Sequence, residues 1–166
     1  LVSFQLGVRT TTGDAEGEVV SRRPVPTLTL AHLDDVLDKF RGDIWQVPSM
    51  YSALKHKGRP LYEYARQGIE IERPARQLNI SELVVVDIDR ASIRCSVSCS
   101  KGTYIRTLVE DIGEQLGCGA FVTQLHRLSV ADFKSKGMVS LPSLEAIRDQ
   151  GTDGLDDYLL PISHAV

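Results

Sequence analysis

In the stretch CSKGTYIRTLVEDIG, residues 99–113, an arginine occupies what the apolar pattern makes the first turn of a helix. A helix N-terminus carries partial positive charge and disfavours a cation by about 0.3–1 kcal/mol, so Arg106 calls for an anion opposite it. If Thr103 caps the helix, the first-turn N–H groups are unpaired and can hold that anion. The guanidinium of Arg106 then adds a planar fork suited to carboxylate or phosphate. Lys101 lies just before the turn, and Gly102 allows an unusual dihedral or a close backbone approach. The pattern predicts an anion site at a strand-to-helix junction. The competing reading is a surface pair between Arg106 and its i+4 neighbour Glu110.

A second concentration of chemistry lies between Tyr51 and Arg76. There Lys55, Lys57, Arg59, Arg66, Arg73 and Arg76 outnumber Glu63, Glu70 and Glu72, giving +3 on a chain whose total is −3, so the remainder carries −6. A basic island on an acidic body argues against a protein that binds nucleic acid with its whole surface. Tyr51, Tyr62 and Tyr64 are interleaved with these cations. Cations hold phosphates and flat rings stack on unpaired bases, a combination that suits RNA loops better than duplex DNA. The alternative is a solvated face whose tyrosines pack down onto the core.

Other catalytic patterns are poor. Ser100 and Lys101 are adjacent, so on a strand they point to opposite faces and do not make an SxxK dyad. A Cys99 thiolate would need a positioned histidine, and His126 is the nearby candidate. Cys95, Cys99 and His126 lack the CxxC spacing of a zinc site, so no metal is expected. GxGxxG, Walker-type and HExxH motifs are absent.

The elements that must position these residues follow from periodicity and punctuation. At 166 residues, with 42% hydrophobic and 25% charged, the chain fits one globular domain. No apolar run approaches the ~20 residues of a membrane span, and the start lacks a signal-peptide pattern. Three cysteines, Cys95, Cys99 and Cys118, leave one unpaired in any disulfide scheme, which fits a reducing compartment, so the cytoplasm is expected. LVSFQLGV at the start suits a strand, although a chain start is seldom a core strand without something before it, which hints at truncation. TTTGDAEGE reads as a polar loop. Thr29 is the expected N-cap of a helix bearing Leu30, Leu33, Leu37 and Phe40 and stopped by Gly42. Residues 44–58 read as extended, and 59–68 as a short helix opened by proline and closed by glycine. Residues 77–87 and 91–99 form a β-rich pair and predict a hairpin. The Arg106 helix follows, with Ile105, Leu108, Val109, Ile112 and Leu116 on one face and Gly117 as its stop. A β-like run FVTQLHRLSVADF and a helix over 144–150 complete the chain. Hairpins mixed with single helices predict an α+β fold, a mixed and mainly antiparallel sheet with flanking helices.

Three segments carry a resemblance. QVPSMYSALKHKGRPLYEYARQGIEIERPAR, CSKGTYIRTLVEDIGEQLGCGAFVTQLHRL and LGVRTTTGDAEG together resemble the bacterial tRNA pseudouridine synthase B family, over a span from about Val2 to about Phe133. The resemblance implies the pseudouridine synthase catalytic fold. It also implies isomerisation of the T-loop uridine at tRNA position 55 to pseudouridine, without metal or organic cofactor, on a base flipped out of the loop. The partner implied is the tRNA T-arm. In that family the nucleophile or base is an aspartate in a Gly-x-Leu-Asp-Pro-type motif, which this sequence does not contain.

By the same resemblance, the chain corresponds to the middle and later part of a longer enzyme, a partial catalytic domain over 1–166 with a basic RNA-binding insertion at about 48–76. The aspartate segment would precede it, in the same polypeptide or as a separate fragment, and a C-terminal RNA-binding domain would follow. Arg106 would pair with the family's aspartate, Tyr104 would face the uracil, Leu125 would pack against the base, and Asp14 would help order the pocket, with Lys101 beside the substrate. Met50, Tyr51, Ser52, Lys55, Lys57, Arg59 and Arg66 become RNA-binding candidates. Taken alone, the chain is expected to be inactive, and the alternative is a non-catalytic RNA-binding module.

Overall fold

The computed structural model describes residues 1–131, 133–134 and 137–159. They belong to two compact units, Leu1–His126 and Arg127–Val166. In chain order the first unit comprises β1 (Val2–Leu6), β2 (Val8–Thr10), β3 (Val19–Arg22), α1 (Leu30–Asp38), β4 (Gly42–Gln46), β5 (Lys55–His56) and β6 (Arg59–Pro60). It continues through α2 (Leu61–Arg66), β7 (Arg76–Asp89), β8 (Ser92–Cys99), α3 (Ile105–Gln115) and β9 (Ala120–Leu125). The second unit holds β10 (Ser129–Val130), β11 (Phe133–Lys134), α4 (Leu141–Gln150) and a 3₁₀ segment, Thr152–Tyr158.

An antiparallel five-stranded sheet in the order β4-β7-β8-β1-β9 organises the first unit. β1 therefore runs inside the sheet, between β8 and β9. Its alternation is what an internal strand with one face on a core requires: Val2, Phe4 and Leu6 are buried and Ser3 and Gln5 are not. Ile80, Leu83, Ile93, Cys95, Ala120 and Val122 present the same face of neighbouring strands, and Leu33, Val36 and Leu37 of α1 with Leu108, Val109 and Ile112 of α3 cover it in one cluster. The architecture is α+β, as the mixture of hairpins and single helices predicts.

Several boundaries differ from the sequence expectation for local reasons. Thr29 does cap α1, its hydroxyl accepting from His32 N at 3.1 Å, but the helix ends at Asp38. Gly42 is not its stop; with φ 76° it opens β4. Val36 rather than Leu30 takes the core face, since Leu30 is the first helical residue and is exposed. The short helix starts at Leu61 because Arg59 and Pro60 pair with β5 as a two-residue strand. The β7/β8 hairpin is longer than the two runs suggest and turns through Arg90 at φ 55°. The run FVTQLHRLSVADF is broken after Leu125, and the last helix begins at Leu141, capped by Ser140, whose hydroxyl accepts from Ser143 N. None of the described helices is long and apolar enough to cross a membrane.

α3 seats closely on β9 through Gly113. A glycine-to-alanine change inside a helix normally adds up to ~1 kcal/mol of stability. Here a Cβ would lie 2.3 Å from Ala120 N and 2.4 Å from Gly119 C, backbone atoms that cannot turn aside. Gly113→Ala is expected to reverse the usual sign and destabilise by about 1–3 kcal/mol, read as a lowered urea midpoint.

Candidate active site at the start of helix α3

α3 begins without a side-chain cap of its own. Tyr104 is the N-cap residue, with extended φ −93° and ψ 104°. Thr103, expected to cap, instead turns its hydroxyl back to donate to Ser100 O at 2.9 Å, closing the bend that Gly102 permits at φ 87°. The cap arrives from the end of β4. Tyr104 N donates to Gln46 Oε1 at 2.9 Å and Gln46 Nε2 donates to Tyr104 O at 3.1 Å. Gln46 is 2% exposed, and no spacing rule connects it to a residue 58 positions away.

Arg106 then projects toward the loop after β2. Its Nη1 donates to Asp14 Oδ2 at 2.9 Å and its Nη2 to Tyr51 O at 2.8 Å. The anion facing the arginine within this chain is thus Asp14, and the i+4 pairing with Glu110 is not formed. Asp14 is fixed in turn: Oδ1 accepts from Thr12 Oγ1 and from Glu16 N, and its own carbonyl accepts from Thr10 Oγ1. A parallel bridge ties Asp14 to Val122 of β9, with Val122 N donating to Gly13 O. Arg106 and Asp14 are 30% and 24% exposed at their side chains, so solvent and an incoming group can still reach the pair. A guanidinium has five N–H donors, and these two hydrogen bonds leave others for a further acceptor.

The remaining candidates are distributed around this joint. Tyr104 is half-buried, Lys101 is exposed on the turn before α3, and Leu125 is 47% exposed at the end of β9, paired with Val2. Lys57 and Gly58 form the two-residue turn between β5 and β6 with φ 48° and 83°, the primed geometry that suits a tight hairpin, and this sets Lys57 at the tip. Lys55, Lys57, Arg59 and Arg66 are all exposed, and Met50 and Tyr51 half-buried. Ser52 is 5% exposed, with its carbonyl accepting from Tyr62 N, so in this structure it packs inside the island. Two of the interleaved tyrosines are also in use: the Arg59 guanidinium lies 5.3 Å from the Tyr64 ring centre and Arg66 5.3 Å from that of Tyr62. A cleft of about 370 Å³ opens between Met50–Tyr51, Arg73 and the Thr107–Glu110 side of α3. Cys95 is buried, which pushes its thiol up to about 12 and leaves it no nucleophile.

Residues 1–105 match the family model of the TruB family pseudouridylate synthase N-terminal domain, and residues 106–166 match that of the tRNA pseudouridylate synthase B C-terminal domain. The chain belongs to the TruB family. Two relatives show the extent. The tRNA pseudouridine synthase B of Marinomonas sp. (strain MWYL1) is 54% identical over 166 residues, covering 100% of this chain and 54% of that protein. The protein of the same name from Coxiella burnetii (strain Dugway 5J108-111) is 54% identical, covering 99% and 54%. The chain spans about half the length of the curated relatives it matches. A solved Cbf5-Nop10-Gar1 complex superposes at TM-score 0.61 over 94% of this chain and 38% of that chain at 22% identity, a likeness of fold. The two TruB family models meet at the start of α3, between Ile105 and Arg106, whereas the compact units divide after His126.

Beneath the Arg106–Asp14 pair, one turn further along α3, Glu110 lies against Gly13; a Cβ there would be 3.0 Å from its carboxyl carbon. Burial raises the Glu110 pKa, Asp111 and Glu114 add to the rise, and Arg9 and Arg106 oppose it. A carboxyl whose folded pKa is raised contributes stability that is fully present below its unfolded value and lost as pH rises through the folded one. Glu110→Gln is therefore expected to be more stable than the parent at pH 7, with the difference vanishing toward pH 4, read from urea midpoints at the two pH values.

Proposed function

We propose that this chain is part of a tRNA pseudouridine synthase that isomerises the T-loop uridine at tRNA position 55, acting on tRNA in the cytoplasm. The observation that carries the reading is the Arg106 joint, which ties the Asp14 loop to the Tyr51 carbonyl and keeps N–H groups free for a further carboxylate. In this reading that carboxylate is the family's aspartate, supplied by polypeptide outside these residues, whether continuous with the chain or a separate fragment. Residues 1–166 then act within the catalytic domain, and 48–76 serve as its RNA-binding insertion.

The reaction breaks the bond from sugar carbon to uracil nitrogen, turns the base and joins the same sugar carbon to C5, which loses its proton to solvent while the freed nitrogen takes one up, so no atoms are gained overall and no metal or organic cofactor is called for. Flipping the base costs a few kcal/mol, which contacts to the loop must return. Exposed Lys55, Lys57, Arg59 and Arg66 supply phosphate contacts, with Met50 and Tyr51 at the base of the island. Tyr104 and Leu125 bound the uracil, Lys101 stands at the entrance, and Arg106 keeps the aspartate ionised and aimed, since a nearby cation favours the charged carboxylate.

The test is Arg106→Lys in the intact enzyme, with tritium release from 5-tritiated uridine in T-arm RNA as the readout. Lysine lacks the planar fork, so turnover should fall by about 100-fold or more with RNA affinity changed by about threefold or less. Near-normal turnover would remove Arg106 from the chemistry and this reading with it. The RNA surface is checked separately: Lys55→Ala with Lys57→Ala should weaken T-arm binding and flatten its logarithmic salt dependence by about 0.7 for each phosphate that a lysine no longer neutralises.

A further inference from the structure

Gln46 takes no part in the chemistry proposed for this site, yet the start of α3 depends on it. Buried glutamines are uncommon, and one that persists must have its polar atoms paired. Gln46 meets that demand in one way: its amide oxygen takes Tyr104 N–H at 2.9 Å and its amide nitrogen donates to Tyr104 O at 3.1 Å. Two opposed hydrogen bonds to one residue fix both the distance and the rotation of that backbone, which a single bond does not. The arrangement resembles the half of a capping box in which a glutamine reaches back to the N-cap N–H, except that it comes from a distant strand.

The anchor of the amide is itself rigid. Gln46 ends β4, opposite Arg76 of β7, so the five-stranded sheet sets its backbone. Five residues further on, the Tyr51 carbonyl accepts from Arg106 Nη2. The strap from Gln46 to Tyr51 thus holds the start of α3 at two points, the backbone of Tyr104 and the side chain of Arg106. With Thr103 turned away to Ser100 O and no side-chain cap at Tyr104, Gln46 is what partners the Tyr104 N–H.

We propose that Gln46 is a positioning residue of the candidate site, orienting the first turn of α3 so that Tyr104 and Arg106 meet the substrate and the catalytic carboxylate in register. The role acts through Tyr104 and Arg106 and rests on the proposed synthase function. It makes β4, the edge strand, and not the turn before the helix, the part that sets catalytic geometry.

Gln46→Leu removes both hydrogen bonds at similar volume, whereas Gln46→Glu keeps the acceptor and loses the donor. In the intact enzyme with T-arm RNA, kcat is expected to fall about tenfold or more in Gln46→Leu and by a smaller factor in Gln46→Glu, while KM stays within about threefold. Amide hydrogen exchange should accelerate about tenfold at Tyr104 in Gln46→Leu, with protection at Phe4 in the internal strand β1 unchanged. A kcat within twofold of the parent in the folded variants would overturn the proposal while leaving the synthase function intact. If Gln46→Leu does not fold, Gln46→Glu decides by the same kcat criterion. If the parent enzyme itself forms no pseudouridine, the synthase function fails, and exchange alone then judges Gln46: unchanged protection at Tyr104 overturns it, and a selective increase there upholds it.

Discussion

The guanidinium of Arg106 is the point on which the site depends. Three segments far apart in sequence end there: the Asp14 loop after β2, the strap that leads from β4 into the basic island, and the first turn of α3. An arginine at a helix N-terminus is electrostatically unfavourable by itself, so its place requires compensation. Asp14 provides the charge and the Tyr51 carbonyl the remaining dipole, and each is held by bonds of its own. Because the pair is partly exposed, its worth lies in geometry more than in stability, as is usual where solvent screens an ion pair.

That geometry is inherited from the sheet. β1 sits between β8 and β9, and the sheet holds each part of the joint: Gln46 at the end of β4 pairs with Tyr104, β8 leads into the turn before α3, and Val122 of β9 bridges to Asp14. α3 is pressed onto the sheet closely enough that Gly113 has no room for a methyl group. A helix that cannot slide gives its first residues a fixed direction, and a fixed direction is what a bidentate side chain needs to be selective.

The basic island uses its charges differently from what their clustering suggests. Arg59 and Arg66 lie over the rings of Tyr64 and Tyr62, and Tyr64 also donates its hydroxyl to His56 O, so the aromatics stiffen the island around its cations. Lys57 is raised at the tip of a two-residue turn whose left-handed backbone the following glycine allows. The island thus presents Lys55, Lys57, Arg59 and Arg66 exposed on a locally ordered segment. Membership of the TruB family gives that segment its context.

Much of this was legible in the residues themselves. β-rich composition marked β1 and the β7/β8 hairpin, helical periodicity marked the buried face of α3, and Thr29 marked the start of α1, because these signals come from chain geometry acting over a few residues. The charge of Arg106 at a helix start announced an anion before any partner was known, and the basic island announced its own surface. The sequence did not announce which anion, because Asp14 lies 92 residues away and only the closure of β9 onto the Asp14 loop brings it within 2.9 Å. It did not reveal Gln46 as the cap or Ser52 as buried, because both depend on how the strap packs and not on neighbours in the chain. Local sequence determined which elements form and where charge is concentrated. The tertiary structure decided which side chains meet, since long-range contact is set by sheet order and helix seating, and neither has a period that can be read along the chain.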